Sequence, residues 1–237
     1  MRAVVVAAGR GRRLAPLTDA VPKPMIRVDG VPILERNLRW LRGWGVSEVA
    51  INLHHRPEAV VGYFGDGRRL GLTIRWSYEP TLAGTASALW PLADWLRDER
   101  FLLVYGDNLV RLDLDRLTRR HRERKAAVSV ALWERRDVSA SGVAEVNADG
   151  AITRFIERPR PGETASRLVN AGVVLAEPEV LGWVAETGQD VGRDLLPALI
   201  GAGVVVLAYP LGPGESLEWI DTPEDLERVR RTAAGGA

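Results

Sequence analysis

The first half of the chain alternates between short apolar runs and segments whose apolar residues recur with helical spacing. The short runs suit strands that are buried on both faces, and the 3.6-residue period indicates helices between them. Strands that alternate with helices predict an α/β fold, in which a parallel sheet carries helices on both faces. The predicted strands are residues 2–8, 48–53, 72–78 and 101–105, and the predicted helices are residues 33–44, 57–64 and 85–96.

Beyond residue 106 the alternation of strands and helices becomes less regular, and the sequence pattern changes near residue 135. This change indicates a second lobe of the same domain. The turn Asn147-Ala-Asp-Gly150 joins two short apolar runs and predicts a β-hairpin. The predicted helices here are residues 115–124, 191–200 and 223–231, and the predicted strands are residues 126–133, 143–146, 152–156, 169–176 and 203–208.

Composition excludes several classes of protein. The chain has 237 residues, of which 46% are hydrophobic and 27% charged, as in ordinary globular proteins. It has no cysteine, which excludes disulfides, cysteine metal sites and thiol nucleophiles. The net charge of +1 does not indicate a surface that binds nucleic acid or a membrane. No apolar run has the length expected of a membrane span or of a signal peptide. We therefore expect a cytoplasmic protein with no nucleic-acid or membrane partner.

The segment after the first strand, residues 9–24, has the composition of a phosphate-binding loop. Gly9 and Gly11 let backbone amides approach an anion at the carboxyl end of a buried strand. The segment lacks the third glycine of the dinucleotide-binding fingerprint and the Gly-Lys-Ser/Thr of the Walker loop. Its lysine, Lys23, lies between two prolines, in a chain whose other lysine is Lys125. We expect an extended loop that binds phosphate through this compact ammonium.

Two further segments carry candidate ligand-binding residues. Asp107 follows the predicted strand 101–105 beside a glycine, where a carboxylate can hold Mg²⁺, although Gly-Asp-Asn is also an ordinary turn. Glu79 precedes a Leu-Ala-Gly-Thr-Ala stretch in which Gly84 permits close backbone approach. Thr85 lies at the predicted helix start and could simply cap that helix.

The loop motif resembles a known family signature. The chain reads Gly-Arg-Gly-Arg-Arg-Leu from Gly9 and Pro-Lys-Pro-Met from Pro22. This combination resembles the signature of the nucleotidyltransferases that activate sugar 1-phosphates, the nucleoside-diphosphate-sugar pyrophosphorylases, and the resemblance runs along nearly the whole chain. It implies a Rossmann-like α/β fold with a mostly parallel mixed sheet, helices on both faces and a smaller sugar-binding lobe. It also implies a short single-domain form over residues 1–237, with a nucleotide-binding part at 1–135 and a sugar- and metal-binding part at 136–237.

The resemblance carries roles onto matching residues. Phe155-Ile-Glu-Arg-Pro159 is similar to the family's Phe-x-Glu-Lys-Pro. Arg158 stands in the place of the lysine that binds the sugar phosphate in the family. Apart from the resemblance, Glu157 and Asn170 could be ordinary hydrogen-bonded strand residues. The implied catalytic residues are Arg13, Lys23 and Asp107. The implied nucleotide-binding residues are Ala8, Gly9, Gly11, Glu79, Gly84 and Thr85. The implied substrate-binding residues are Gly142, Glu157, Arg158 and Asn170.

The second metal ligand is the weakest match. Many relatives carry this aspartate three residues before the threonine, where this chain has Trp219, and here Asp221 directly precedes Thr222. The implied metal ligands are Asp107 and Asp221, with Glu218 the alternative to Asp221. Asp221 could instead belong to a helix N-cap.

The resemblance implies a Mg²⁺-assisted transfer of a nucleoside monophosphate from a nucleoside triphosphate to a sugar 1-phosphate. Glu79 favours GTP, because a guanine edge presents two adjacent donors to a carboxylate. Two alternatives stay open. The Asp-Thr-Pro ending fits a cytidylyltransferase that acts on phosphocholine or a phosphonate, and a non-catalytic subunit that senses nucleotide sugars is an alternative of another class. A homo-oligomer is possible, and the sequence does not decide it.

Overall fold

The computed structural model describes residues 1–9 and 11–234, so Arg10 of the predicted phosphate loop lies outside the described residues. The strands are β1 Arg2–Val6, β2 Arg27–Val28, β3 Val31–Pro32, β4 Glu48–Leu53, β5 Thr73–Tyr78, β6 Phe101–Tyr105, β7 Leu109–Arg111, β8 Val128–Glu134, β9 Gly142–Val146, β10 Ile152–Glu157, β11 Leu168–Ala176, β12 Val206–Pro210 and β13 Ser216–Glu218. The α-helices are α1 Leu17–Ala20, α2 Ile33–Gly43, α3 Pro57–Phe64, α4 Ala93–Leu96, α5 Leu114–Glu123, α6 Leu196–Gly201 and α7 Pro223–Ala234. Turns of 3-10 helix lie at Arg12–Leu14, Lys23–Met25, Arg68–Leu70, Ser87–Leu92 and Pro178–Trp183, and Val191–Leu195 forms a π-helical turn.

The described chain divides into two compact units, each built from separate stretches of sequence. The N-terminal unit comprises Arg2–Leu82, Val104–Arg111 and the described chain from Ser216 onward. The central unit comprises Ala83–Leu103 and Leu112–Glu215, together with Met1. The division of roles predicted at residue 135 stays a prediction.

In the N-terminal unit, β1, β4 and β5 are parallel neighbours. The register pairs Val6 with Asn52 across β1 and β4. The backbone N–H of Gly106 donates to the carbonyl of Val6 at 2.8 Å, which places the turn after β6 beside the carboxyl end of β1. The segments that follow β1, β4 and β5 therefore leave the sheet at one edge, where open α/β sheets place their ligands.

A hydrophobic cluster joins the loop after β1 to the C-terminal helix α7. Its members are fully or nearly fully buried, namely Leu14, Ile26, Val28, Ile33, Ile220, Leu226 and Val229. Thr222 and Asp225 cap α7 reciprocally, with Asp225 N donating to Thr222 Oγ1 at 3.2 Å and Thr222 N donating to Asp225 Oδ2 at 3.1 Å. The cluster and the cap together hold the residue before the cap, Asp221, close to the loop.

In the central unit, β11 pairs antiparallel with both β8 and β9, and β9 pairs antiparallel with β10 as the predicted hairpin. β12 runs parallel to β8. The fold thus contains both parallel and antiparallel pairs with helices, which confirms the predicted mixed α/β architecture.

Two local predictions were wrong. The helix predicted at residues 85–96 does not begin at Thr85. The helical structure starts at Ser87, as a 3-10 segment that contains Pro91. Proline lacks an N–H and cannot continue α-helical bonding, so the α-helical part is limited to α4. The loop after β1 is not extended but contains short helical turns. The helix predicted at 191–200 is present, and its first turn is a π turn.

Among the described residues, no helix is both long enough and apolar enough to cross a membrane.

Glu35, in the first turn of α2, is a buried carboxylate with three charged or polar donors. Its side chain is 3% exposed. It accepts hydrogen bonds from Arg39 Nε at 2.9 Å, from the Tyr63 hydroxyl at 2.7 Å and from Arg69 Nη2 at 3.1 Å. Burial opposes the charge, but the hydrogen bonds from Tyr63, Arg69 and Arg39 outweigh it and lower the pKa of Glu35 to about 2.

We expect Glu35→Gln to lower the free energy of unfolding at pH 7 by about 1–3 kcal/mol, because the buried carboxylate that accepts from Tyr63, Arg39 and Arg69 is lost. A lowered folded-state pKa stabilises the fold above the ordinary value of 4.5, and this contribution is lost as the pH falls toward about 2. Urea unfolding between pH 7 and pH 2 should therefore show the variant and the parent converging in acid. Glu123→Gln, on the exposed end of α5, is the matched control, and a parallel pH profile for Glu35→Gln would contradict the assignment.

Candidate active site

Lys23 is a buried ammonium group between two carboxylates. It begins the 3-10 turn Lys23–Met25, and the residue is 4% exposed. Its Nζ donates to Asp107 Oδ2 and to Asp221 Oδ1, both at 2.8 Å. Burial opposes the charge of Lys23, but the two carboxylates outweigh it and raise the pKa above the ordinary value. The side chain therefore carries a fixed positive charge at neutral pH.

Gly11 makes room for Lys23. Its φ of +61° is a conformation that glycine adopts without steric cost. A Cβ at this position would lie 2.9 Å from Lys23 Cβ and 3.0 Å from Thr18 Cγ2. The Thr18 hydroxyl donates to the carbonyl of Gly11 at 3.0 Å and holds the turn in place.

Asp107 is positioned by its two chain neighbours. A Cβ on Gly106 would lie 2.8 Å from Val5 Cγ1, so the turn packs directly on β1. The carbonyl of Asn108 accepts a hydrogen bond from Asn37 Nδ2 at 2.7 Å, and both asparagines are buried. The backbone on either side of Asp107 is thereby tied to β1 and to α2.

Asp221 meets a second basic group. Arg13 Nη2 lies 3.0 Å from Asp221 Oδ2, and the arginine side chain is 62% exposed. The alternative carboxylate, Glu218, pairs instead with Arg228 of α7. The structure thus brings together Arg13, Lys23, Asp107 and Asp221 in the N-terminal unit.

The carboxylates of Asp107 and Asp221 suit a magnesium ion. Both contact the same nitrogen at 2.8 Å, so the two contacting oxygens are at most twice that distance apart. Among the described residues, histidine, aspartate and glutamate side chains form no cluster of three or more that could hold a metal by themselves. Mg²⁺ commonly binds one or two carboxylates and completes its shell with water and substrate phosphates. The donor set therefore fits Mg²⁺ bound together with a phosphorylated substrate.

Asn52 connects the segment after β1 to Glu79, and the sequence analysis did not single it out. It is buried near the carboxyl end of β4. Its Oδ1 accepts from Ala7 N at 2.7 Å, and its Nδ2 donates to Glu79 Oε1 at 2.8 Å. His54 Nδ1 lies 2.9 Å from the carbonyl of Glu79. One asparagine inside an otherwise apolar run was the signal that could have found it.

The two residues after Ala7 were predicted to contact nucleotide. Ala8 is buried, whereas Gly9 is exposed. A Cβ on Gly9 would have no heavy atom within 4 Å, so the backbone there borders open space.

Glu157, in the central unit, lies against two glycines. A Cβ on Gly142 or on Gly192 would lie 2.6 Å from Glu157 Oε2. The carboxylate is 35% exposed. Partial burial and the nearby Asp190 raise its pKa above the ordinary value, against the opposing charges of Arg158 and Arg193. Gly192 was not predicted, and its closeness to Glu157 comes from tertiary structure.

The remaining predicted substrate residues lie in the same unit. Arg158 has a φ of +54°, and its Nε is 4.0 Å from Glu157 Oε1. Asn170 Oδ1 accepts from Gly172 N at 2.8 Å, where the pairing of β11 with β8 shifts register. The amide of Asn170 thus stabilises an irregularity in its own strand.

Thr85 does not cap the helix that follows it, in contrast to the sequence-based alternative. Its hydroxyl donates to Asp190 Oδ1 at 3.1 Å and accepts from Val191 N at 2.9 Å. Gly84 has a φ of +108° and packs so closely on the Gln189 carbonyl that a side chain would collide with it.

Comparison with known proteins identifies relatives along most of the chain. A family model described as nucleotidyl transferase matches residues 2–226. UTP–glucose-1-phosphate uridylyltransferase of Synechocystis is 33% identical, covering 97% of this chain and 63% of that protein. Mannose-1-phosphate guanylyltransferase of Mycobacterium tuberculosis is 31% identical, covering 95% of this chain and 62% of that protein. The chain thus spans somewhat less than two thirds of the length of both.

A solved structure shares the fold at low sequence identity. The crystal structure of a UDP-glucose pyrophosphorylase in complex with UDP-glucose has a TM-score of 0.84 and 17% identity, with 100% of this chain and 99% of that chain covered.

We expect Asn52→Asp to lower the free energy of unfolding by about 1–3 kcal/mol, because it replaces a buried donor with a carboxylate that faces Glu79. Urea unfolding of Asn52→Asp, Glu79→Gln and the double variant forms a double-mutant cycle. The double variant restores one donor and one acceptor, so its loss of stability should be smaller than that of Asn52→Asp alone. Strictly additive losses would show that the two side chains do not interact.

Proposed function

The chain belongs to the nucleotidyl transferase family, and we propose that it transfers a nucleoside monophosphate from a nucleoside triphosphate to a sugar 1-phosphate, releasing pyrophosphate. The observation that carries this proposal is the convergence of Asp107 and Asp221 on Lys23 Nζ, with Arg13 beside them. The relatives named for glucose 1-phosphate and mannose 1-phosphate support the choice of acceptor.

In the proposed reaction, a phosphate oxygen of the sugar 1-phosphate attacks the α-phosphorus in line. A new phosphorus–oxygen bond forms, the bond between the α-phosphorus and the bridging oxygen breaks, and pyrophosphate leaves with that electron pair. The attacking oxygen is already anionic, so no general base is required. The chain's task is to position two anions and offset their repulsion, for which Lys23 and Arg13 supply fixed charge.

Asp107 and Asp221 are the groups we propose to hold a divalent metal ion, as nucleotidyltransferases of this family generally use one. Mg²⁺ is the ion that their oxygen donors favour. When bound, it would neutralise negative charge on the phosphate oxygens during transfer.

Glu79 is the residue on which we base a preference for GTP. Asn52 holds one of its carboxylate oxygens in place, and a guanine edge offers two adjacent donors to such a group. Similarity alone does not choose the base, because the uridylyl- and guanylyltransferase relatives are 33% and 31% identical. The other residues that we propose to contact nucleotide are Ala8, Gly9 and Gly11 in the N-terminal unit and Gly84 and Thr85 in the central unit.

The central unit supplies the proposed acceptor site. Glu157, flanked by Gly142, would accept hydrogen bonds from sugar hydroxyls, while Arg158 would contact the sugar phosphate and Asn170 would line the pocket. The proposal needs no partner beyond the two substrates and the metal. A homo-oligomeric state and a cytoplasmic location stay predictions.

The test is pyrophosphate release in the presence of Mg²⁺. ATP, CTP, GTP, UTP and dTTP are each combined with glucose 1-phosphate, mannose 1-phosphate, other hexose, heptose and amino-sugar 1-phosphates, and phosphocholine. Release that requires one triphosphate and one sugar 1-phosphate together supports the proposal, and a preference for GTP supports the role of Glu79. Release with CTP and phosphocholine alone would instead identify a cytidylyltransferase that acts on phosphocholine. Nucleotide binding without pyrophosphate release in any combination would contradict the proposal that the chain is catalytic.

We expect Lys23→Ala to lower kcat at least about tenfold, the factor that about 1.4 kcal/mol of lost transition-state stabilisation gives. Lys125→Ala is the control, since Lys125 is the other lysine of the chain and is exposed. Circular dichroism is used to check that both variants fold. Parental turnover in folded Lys23→Ala would refute its catalytic role.

The two acidic candidates for the second metal ligand can be separated directly. We expect Asp221→Asn to raise the Mg²⁺ concentration needed for half-maximal activity by about tenfold or more, because one anionic ligand is removed. Glu218→Gln should shift it far less, because Glu218 pairs with Arg228. The reverse order in the Mg²⁺ titration would move the ligand to Glu218.

A further inference from the structure

The loop formed by residues 83–87 is hydrogen-bonded along its length to a segment more than 100 positions later in the chain. The backbone N–H groups of Ala86 and Ser87 both donate to the Gln189 carbonyl, at 3.0 and 3.1 Å. Gln189 N donates in return to Ser87 Oγ at 3.1 Å, and Ser87 is buried. Gly188 N donates to the carbonyl of Ala83 at 2.6 Å. The two segments are therefore bound to each other as one element within the central unit.

Thr85 makes the most specific part of this connection. Its backbone N–H and its hydroxyl both donate to Asp190 Oδ1, at 3.2 and 3.1 Å. Its hydroxyl oxygen accepts from Val191 N at 2.9 Å. One threonine thus binds both Oδ1 of Asp190, whose Oδ2 pairs with Arg193, and the first N–H of the π turn.

The π turn Val191–Leu195 continues directly from this contact. Leu195 N donates to the carbonyl of Asp190 at 3.0 Å, the five-residue spacing that defines a π turn. The turn places Gly192 so close to Glu157 that a Cβ there would lie 2.6 Å from Oε2. A displacement of the turn toward Glu157 would therefore crowd its carboxylate.

We propose that residues 188–195, hereafter the bracket, are a positioning element that transmits the conformation of loop 83–87 to the Glu157 carboxylate. The hydrogen bonds between Thr85 and Asp190 connect the bracket to the loop, and Gly192 is the residue of the bracket that contacts Glu157. The substrate assignment rests on the proposed function, in which the loop contacts the nucleotide and Glu157 contacts the sugar.

The bracket gives each substrate an influence on the site of the other. A nucleotide that orders loop 83–87 fixes Asp190 and the π turn, and the ordered turn holds Glu157 in its binding position. Such coupling is reciprocal, so a sugar 1-phosphate on Glu157 raises the affinity for nucleotide by the same factor. Asp190, Gly192 and the Thr85 hydroxyl then act as positioning groups, and none of the three needs to touch the sugar.

The first arm of the test measures the bracket without any substrate. Thr85→Val removes the hydroxyl with little change in shape, Thr85→Ser retains it, and Thr81→Val is a matched control at an exposed threonine. Hydrogen exchange followed by mass spectrometry should show amides of residues 191–196 exchanging about fivefold faster or more in Thr85→Val. Thr85→Ser and Thr81→Val should match the parent. Unchanged exchange in Thr85→Val would overturn the proposal.

The second arm measures transmission to the sugar site. Calorimetry with glucose 1-phosphate and mannose 1-phosphate, with no nucleotide present, should give a dissociation constant about fivefold higher or more in Thr85→Val and unchanged in Thr85→Ser. Gly192→Ala should weaken the same binding without faster exchange at loop 83–87. If the parent binds a sugar 1-phosphate and Thr85→Val binds it with the same dissociation constant, transmission from the loop to Glu157 is overturned.

Failure of the proposed function has a different signature. In that case the parent binds neither sugar 1-phosphate and releases no pyrophosphate with any triphosphate. The exchange arm still decides the bracket, because faster exchange in Thr85→Val supports the link from Thr85 to the π turn and unchanged exchange refutes it.

Discussion

The N-terminal unit is organised around one buried ammonium group. Lys23 is almost completely removed from solvent, and an unpaired charge in such a place would cost several kcal/mol. Asp107 and Asp221 offset that cost, and they come from the turn after β6 and the residue before α7. Burying this lysine therefore requires three distant parts of the chain to meet. The hydrophobic cluster that joins the loop after β1 to α7 lets them do so.

Buried polar residues determine the positions of the groups around that centre. Asn37 holds the backbone beside Asp107, and Asn52 joins Ala7, which follows β1, to Glu79. In the central unit Thr85 and Asp190 connect two segments that are distant in sequence. Each of these side chains hydrogen-bonds a backbone or carboxylate group of a distant segment, which couples the stability of the fold to the geometry of the site.

Local structure was predictable where local forces dominate. The strand at 48–53 and the helix at 57–64 agree with the structure, because apolar periodicity and the glycines that follow act within a few residues. The start of the helix predicted at 85 was not predictable from capping preference, since Thr85 bonds to Asp190 and Val191 instead. The position of the π turn was likewise not predictable, because Gly192 within it packs against Glu157 of β10, which is distant in sequence.

The sequence by itself determined the α/β class, the family and the residue types at the site, since these reside in periodicity and in the motif around Gly9, Gly11 and Lys23. Tertiary structure alone decided that Asp221 contacts Lys23 while Glu218 pairs with Arg228, although both carboxylates lie within four positions of each other. It also revealed Asn52 and Gly192. The physical reason is that a motif specifies chemical groups, whereas a charge pair or a close packing contact depends on which distant segments fold against each other.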